Sequence, residues 1–564
     1  MRHVLGIVVS SLALAACGSG NQQQNTGGAS GTGGHAGGAG GASSSSSSSA
    51  SSSSGSGGTG GSGGGTAAIC APPITPVDTA TPATVVGSGP GTCTGAAFAS
   101  AAKNGGVITF NCGGPATIPV DAQIELPKDK DTTIDGGGVI TLDGGGKTRI
   151  FHFDGGDFRK TKTTVTLQHL TITHAKATGT AIPSAPPPCS QGFNVDGGGA
   201  GILIRDGVLH VIDVTFQDNH AASPGPDVAG GGVYAIGSLD VTIVGSRFLG
   251  NSASNGGAVG SLFSNLTLAN DTFDHNQATG TGANYIDSKC TVNGGESGDG
   301  GNGGAVVMDG GETFDVSICG CTFTGNTAGA LGGGVFRTPD LGVAPTHIDR
   351  CTFDKNQAQG GGAMYFHHSD LSIVATTLSN NTAEGAGGIK ADDTQLTMTN
   401  TTLAGNSATK GLGGAMAMFG NGGTITNCTF ASNHADGGSG LFGAAIAGGT
   451  TFTIDNSVFA NNTSMDCGAP MACHDGNSAG QAVVQWPDKH LVCSSADKAC
   501  AAGGTTFADP QLGTLGDNGG PTLTIAPAKG GPADGIGKGC PATDQRGKPR
   551  KTPDGCTAGA FEIE

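Results

Sequence analysis

Residues 361–381 read GGAMYFHHSDLSIVATTLSNN. Three marks follow one another in this stretch: a Gly-Gly-Ala cluster ahead of an apolar residue, an apolar pair at Leu371 and Ile373, and Leu378 three residues ahead of Asn381. The same order returns along the middle of the chain. Its last mark recurs as Phe216-x-x-Asn219, Phe248-x-x-Asn251, Phe273-x-x-Asn276, Phe323-x-x-Asn326, Phe353-x-x-Asn356, Leu378-x-x-Asn381, Leu403-x-x-Asn406, Phe430-x-x-Asn433 and Phe459-x-x-Asn462. Most steps are 25 to 32 residues and one is 50. A period of that size means a solenoid, in which each repeat buries its apolar face only against its neighbours.

Apolar pairs such as Val241 and Ile243, Leu266 and Leu268, and Val316 and Ile318 alternate with other residues, as Leu371 and Ile373 do. Alternation of period two is strand rather than helix. The five-residue gap from the pair to the Phe or Leu has the wrong parity for one continuous strand, so the chain must bend there. The clusters at Gly256-Gly257-Ala258, Gly303-Gly304-Ala305, Gly332-Gly333-Gly334, Gly361-Gly362-Ala363 and Gly413-Gly414-Ala415 supply another corner. Glycine suits such a corner because it accepts positive φ and close backbone approach. The predicted fold is all-β: a single-stranded right-handed parallel β-helix with an N-terminal cap and a small C-terminal module. Some 14 coils at ~4.8 Å each would make a rod of about 65 Å. The Phe and Leu marks are predicted core. The Asn marks are predicted at bends, where Asn tolerates the left-handed conformation and, when stacked, satisfies its neighbour in the next coil.

Outward from the repeats, the chain divides by composition. Met1-Arg2-His3 is basic, Val4 to Leu14 is mostly apolar, and Leu14-Ala15-Ala16-Cys17 closes the segment. Residues 1–17 are too short to span a bilayer and read as a signal peptide. Residues 18–66 are nearly all Gly, Ser, Ala, Thr, Asn and Gln, which cannot bury a core, and are expected to be a disordered linker spanning roughly 40 Å. Residues 67–196 should hold a cap and the first coils, with Ala96 to Lys103 the one plausible short helix. Residues 197–465 carry the marked repeats, and 466–564 a C-terminal module. A Pro-rich stretch, Ile182 to Cys189, and a Gly-rich one, Thr279 to Gly301, should loop out from the rod.

The net charge of -17 argues against nucleic acid as a partner. Sixteen cysteines behind an export signal point to an oxidising compartment. Cys540 with Cys556 and Cys93 with Cys112 are the expected disulfides. Cys321 and Cys351, each two residues before the Phe of consecutive marked coils, should stack ~4.8 Å apart, within disulfide reach; Cys428 holds the same position three marked coils later.

Three resemblances add to this. Small residues ahead of Cys17 resemble the lipobox of bacterial lipoproteins, which implies an acylated Cys17 and a membrane partner reached through that lipid. Gly18 rather than Asp follows, so the implied location is the outer membrane, facing the cell surface or the periplasm. The pairing of Gly-Gly-Ala-(Val/Ile/Met) with Phe-x-x-Asn over about residues 197 to 462 resembles the repeats of chlamydial polymorphic outer-membrane proteins, β-helical surface proteins implicated in adhesion; those end in an autotransporter barrel, for which this sequence offers no counterpart. Asp517-Asn518-Gly519-Gly520-Pro521-Thr522, then Cys540 to Gly547, Arg550, and Gly555-Cys556 through Gly559-Ala560-Phe561-Glu562 resemble the choice-of-anchor Q domain of bacterial surface proteins.

Catalytic signatures are sparse. Glycoside hydrolysis usually needs two carboxyl groups across the bond, and Asp392-Asp393 beside Lys390 is the nearest cluster, read here as a solvated turn. The Gly-His-Gly and Arg-Ile-Lys of polygalacturonases do not occur. His367-His368 on a strand would point to opposite faces. Cys319-x-Cys321 and Cys467-x5-Cys473-His474 fit disulfides better than metal ligands in an exported chain. No phosphate loop with the full Gly-x4-Gly-Lys-Ser/Thr spacing is present. No cofactor is expected, and Ca²⁺ has no motif behind it. With one Trp and three Tyr there is no obvious aromatic sugar platform. The expected function is adhesion or binding of an extended ligand such as a polysaccharide or a neighbouring cell surface; a polysaccharide lyase or glycoside hydrolase and an inert spacer are the alternatives. A smooth face of Thr, Ser and Asn would favour binding, and a groove of two carboxylates with an Arg or Lys an enzyme.

Overall fold

A computed structural model describes residues 68–182, 189, 192–285, 298–310, 314–339, 342–436, 445–448, 452–464, 479–486, 505–551 and 554–564, all within one compact unit. Cys17, Cys467, Cys473 and His474, the signal peptide, the linker and the tips of both insertions lie outside these residues.

One coil shows the plan. Val259–Leu262, Leu266–Ala269, Thr272–Asp274 and Gln277–Ala278 are four short strands separated by bends. Each pairs in parallel with its counterpart one coil on: Val306–Asp309, Val316–Cys319, Thr322–Thr324 and Thr327–Ala328. Repetition gives a 25-stranded sheet to which each coil adds two strands, an 11-stranded sheet and an 8-stranded sheet. The fold is a parallel β-helix of about eleven turns, fewer than the 14 expected, because among the described residues strands such as Thr84–Val86 and Ala479–Gln481 extend the longest sheet at its two ends without counterparts in the other two sheets. The stack in the 11-stranded sheet is therefore on the order of 50 Å long. Strands also form beyond residue 465: Val483–Trp486 pairs with Val458–Ala460, and Thr505–Phe507 pairs in turn with Val483–Gln485. The first coil is capped by the helix Gly95–Asn104, whose N-cap Thr94 accepts from Ala97 N and whose Phe98, Ala101 and Ala102 are buried.

The Phe marks stack inside. Rings of Phe216, Phe248, Phe273, Phe323 and Phe353 lie 4.6–4.9 Å apart and within 7° of parallel, and Leu378 and Leu403 continue the row to Phe430 and Phe459. The Asn marks satisfy one another from coil to coil as expected, but they do not take the left-handed turn. It is the residue before each of them that turns left-handed: Asp218, Gly250, His275, Gly325, Lys355, Asn380, Gly405, Ser432 and Asn461 all have φ between 51° and 67°. The Asn side chains instead point inward, fully buried. Asn326 is typical: its Oδ1 accepts from Asn276 N (2.9 Å) and Asn276 Nδ2 (3.0 Å), while its Nδ2 donates to Phe273 O (3.0 Å) and Asn356 Oδ1 (2.9 Å).

At the Gly corner the first glycine takes positive φ, as at Gly303 (64°) and Gly332 (69°), with Ala386 (61°) the exception. The second has no room: a Cβ on Gly304 would lie 2.0 Å from Gly333 O.

The bend before the Phe holds another ladder. Ser246 N donates to Asp271 Oδ1 (2.7 Å), Asp271 N to Cys321 Sγ (3.4 Å), Cys321 N to Cys351 Sγ (3.4 Å), and Cys351 N to Thr376 Oγ1 (3.2 Å). Cys321 and Cys351 thus stack in register but stay free, each sulfur accepting the N–H of the coil before it; Cys428 is also free and buried, its thiol pushed up to about 12 by burial. Asp271 is the outlier in this ladder. Burial pushes its carboxyl up to about 8 against the two backbone N–H bonds it accepts. The structure contains the disulfides Cys93–Cys112 and Cys540–Cys556, and a third, Cys70–Cys319, that joins residues 249 apart in sequence.

Candidate functional site

With Phe, Asn and Gly turned inward, a ligand can meet only the outside of the coils, and one edge is taken by the terminal segments. It is the corner three residues before each Phe or Leu. Near its start Gln168 bonds the backbone of Val77 through both N and O, and Thr79 Oγ1 donates to Asp135 Oδ2. Further along, Asn270 bonds the Cys70 backbone, the Cys70–Cys319 disulfide follows, and Arg350 Nη1 donates to Ile69 O (3.0 Å). From the next coil on, the C-terminal module takes over. Thr522 Oγ1 donates to Ala375 O, Asn400 Nδ2 to Thr543 O, Asn427 Nδ2 to Thr557 O and Asn456 Nδ2 to Lys538 O. Gln545 reads two coils at once: its Nε2 donates to Thr377 Oγ1 (2.9 Å), and its Oε1 accepts from Thr402 Oγ1 (2.7 Å). Buried pairs Arg546–Asp544 (2.7 Å) and Arg550–Glu562 (3.1 Å) hold the module together. The Asp-Gln-Arg-Gly run and Arg550 singled out in the sequence are therefore the module's interior and its dock.

Two polar rows remain open. Thr267, Ser317, His347, Ser372, Thr397, Thr424 and Thr453 align one per coil on the outside of the longest sheet and are half-buried or exposed. Gln277, Thr327, Gln357, Thr382, Ser407, His434 and Thr463 form a similar row on the 8-stranded sheet.

The outside of the 11-stranded sheet is different. Leu203, Tyr234, Val307, Phe336 and Tyr365 share a row there, with Phe336 and Tyr365 stacked at 5.2 Å. The three rings are only 3–5% exposed, and Tyr234 donates its hydroxyl to Asp227 O in the loop beside it. The row leads into a polar cluster: Tyr365 OH donates to Asp392 Oδ2 (2.8 Å), and Lys390 Nζ lies 3.8 Å from the same oxygen.

His367 and His368 do not face opposite sides. His368 has φ 47° and ends its strand, so the alternation rule stops one residue too early, and the two rings lie together with centroids 3.9 Å apart. Asp393, at the matching corner of the next coil with φ 47°, places Oδ2 3.9 Å from His367 Nε2 and 3.7 Å from His368 Nε2. Thr338 Oγ1 holds His367 Nδ1 at 3.3 Å. Burial, with His368 alongside, keeps the His367 imidazole below its usual value. Asp392-Asp393, read from sequence as a solvated turn, thus sits against a histidine pair from the preceding coil. The 25-residue step from His368 to Asp393 equals that from Leu378 to Leu403 and is the signal that relates them.

Among the described residues no helix is long and apolar enough to cross a membrane. A family model described as right handed beta helix region matches residues 159–339 and 340–484. No curated protein matches the chain.

Proposed function

The chain belongs to the right-handed β-helix family, and from that premise we propose that it is a surface-binding rod that holds an extended, hydroxyl-rich polymer such as a polysaccharide. One observation carries this reading: the open row from Thr267 to Thr453, which offers one polar side chain per coil on the outside of the sheet. Stacked strands repeat every ~4.8 Å, so a polymer laid along the row meets hydrogen-bonding groups at regular intervals. Such a surface binds by many weak contacts and needs no deep pocket. An acylated Cys17 would tether the rod to the outer membrane, as the lipobox-like Leu14-Ala15-Ala16-Cys17 supports. The likeness of the repeats to polymorphic outer-membrane proteins, and of residues 517–562 to the choice-of-anchor Q domain, supports adhesion at the cell surface.

The test is a glycan array with product analysis, run on the exported protein and on the triple variant Ser372→Ala, Thr397→Val, Thr424→Val. Each lost hydrogen bond is worth on the order of 1 kcal/mol, so retention on the array should fall about a hundredfold. Unchanged retention by the variant overturns the role of this row, and no retention of the unmodified protein favours an inert spacer. A second reading, a polysaccharide lyase or glycoside hydrolase, has one observation in its favour: Asp392, Asp393 and Lys390 gather on one coil beside His367. Release of unsaturated or reducing sugars, abolished by Asp392→Asn, would establish it. Lipidation is tested by fractionation: Cys17→Ser should leave the detergent phase.

A further inference from the structure

The histidine pair has chemistry that polymer binding does not use. Other imidazole–carboxylate contacts on the surface are single, such as His152 with Glu125 (2.6 Å), His275 with Asp274 (2.6 Å) and His434 with Asp436 (2.6 Å). At the corner of two stacked coils, by contrast, His367 Nε2 and His368 Nε2 converge on one oxygen of Asp393, and the three ligand atoms all lie within 4.8 Å of one another. We propose that His367, His368 and Asp393 form a binding site for a divalent transition metal.

The geometry supports it in three ways. Bonds of ~2.0–2.1 Å from nitrogen and oxygen to a tetrahedral ion put neighbouring ligand atoms about 3.3 Å apart, so the two separations from Asp393, 3.9 and 3.7 Å, close with shifts of about half an ångström, and the two imidazoles, within 4.8 Å of each other, need at most about 1.5 Å. The Thr338 hydroxyl occupies His367 Nδ1 and leaves Nε2 for the ion, the outer-shell contact that orients metal-binding imidazoles. All three ligands stand at the ends of paired strands, Met364–His367 and Ile389–Asp392, so little chain must be ordered on binding. Two imidazoles and one carboxylate suit Zn²⁺, Ni²⁺ or Cu²⁺ rather than the all-oxygen sets of Ca²⁺ and Mg²⁺. Asp393 and His368 side chains are 55% and 44% exposed, which leaves further coordination positions open to water or to a ligand atom.

This site stands independently of the polymer-binding row, and its test does not involve glycans. The full chain is stripped with a chelator and titrated with Zn²⁺ by calorimetry, and with Co²⁺ as a spectroscopic probe. The expected result is one equivalent of bound ion, with visible Co²⁺ bands of nitrogen–oxygen coordination. His368→Ala and Asp393→Ala should each weaken that equivalent by roughly 100-fold or more, and Thr338→Val by about tenfold. His275→Ala, at another exposed imidazole beside a carboxylate, should leave it unchanged, and circular dichroism should show all four variants folded. Absence of binding to the unmodified chain at micromolar zinc overturns the proposal. So does an equivalent that survives His368→Ala and Asp393→Ala, because that ion would be held elsewhere.

Discussion

Two corners of the same coil solve the same problem with different strictness. At one, asparagine fills all nine positions from Asn219 to Asn462. At the other, the bend before the Phe, the row runs Val214, Ser246, Asp271, Cys321, Cys351, Thr376, Thr401, Cys428 and Ser457. The number of hydrogen bonds explains the difference. Each inner Asn accepts two bonds from the Asn before it and donates two more, to a Phe or Leu carbonyl of the preceding coil and to the next Asn. Only a carboxamide supplies an acceptor and two donors in that arrangement. The second corner needs a single acceptor for one backbone N–H, which a hydroxyl, a thiol or a carboxyl provides equally. Repeat strictness here measures how many buried groups a side chain must satisfy.

The largest expected effect comes from breaking the strict corner. Asn326→Leu leaves Asn276 N–H, the Phe273 carbonyl and Asn356 Oδ1 short of partners in a dry interior. At 1–3 kcal/mol per orphaned group, the coils around it should lose about 5 kcal/mol. Hydrogen exchange should show the loss as early opening of residues 273–356, while the cap exchanges as before.

Removing the outer dock of the tolerant corner should rank next. Gln545→Ala strips partners from Thr377 and Thr402, at a cost of about 3 kcal/mol, and limited proteolysis should then release the module beyond the strand Thr505–Phe507 while the rod stays intact.

Asp271 tests how far tolerance at that corner extends. Its folded pKa of about 8 lies above the ordinary 3.8, so the folded state holds the proton more tightly than the unfolded chain. Its contribution is fully present below pH ~4 and is lost as pH rises through ~8, at on the order of 1 kcal/mol per pH unit. Denaturant titrations of Asp271→Ser should lack that slope, whereas a variant that follows the parent across the window would show the carboxyl to be charged. The smallest effect belongs to Cys351→Ser, which substitutes one acceptor for another. Its unfolding free energy should change by less than about 1 kcal/mol, and a loss as large as that of Asn326→Leu would erase the distinction between the corners.

Much of the rod was legible in one dimension. The Phe-x-x-Asn period, the Leu371/Ile373 alternation and the Gly-Gly corners needed only counting, because stacked coils impose the same local geometry on each repeat. Local rules stop at the end of the element they describe. Asn380, not Asn381, takes the left-handed turn, since Asn suits both jobs and sequence does not say which neighbour does which. Alternation holds only while the strand lasts, so His368, one residue past the strand Met364–His367, lies beside His367 rather than on the opposite face. Cys321 and Cys351 were correctly stacked, yet sulfur there accepts an N–H rather than forming a bond.

The sequence by itself determined the coil and its core, since these depend on contacts one period apart and that period is written in the chain. Only the tertiary structure decided what lies on the outside. Ile69 meets Arg350, Cys70 meets Cys319, and Gln545 meets Thr377, across separations that follow no period. His367, His368 and Asp393 meet because a left-handed residue on each of two neighbouring coils turns its side chain to the same corner. Inward positions repeat because every coil buries the same groups; outward positions are free of that demand, so their partners differ from coil to coil.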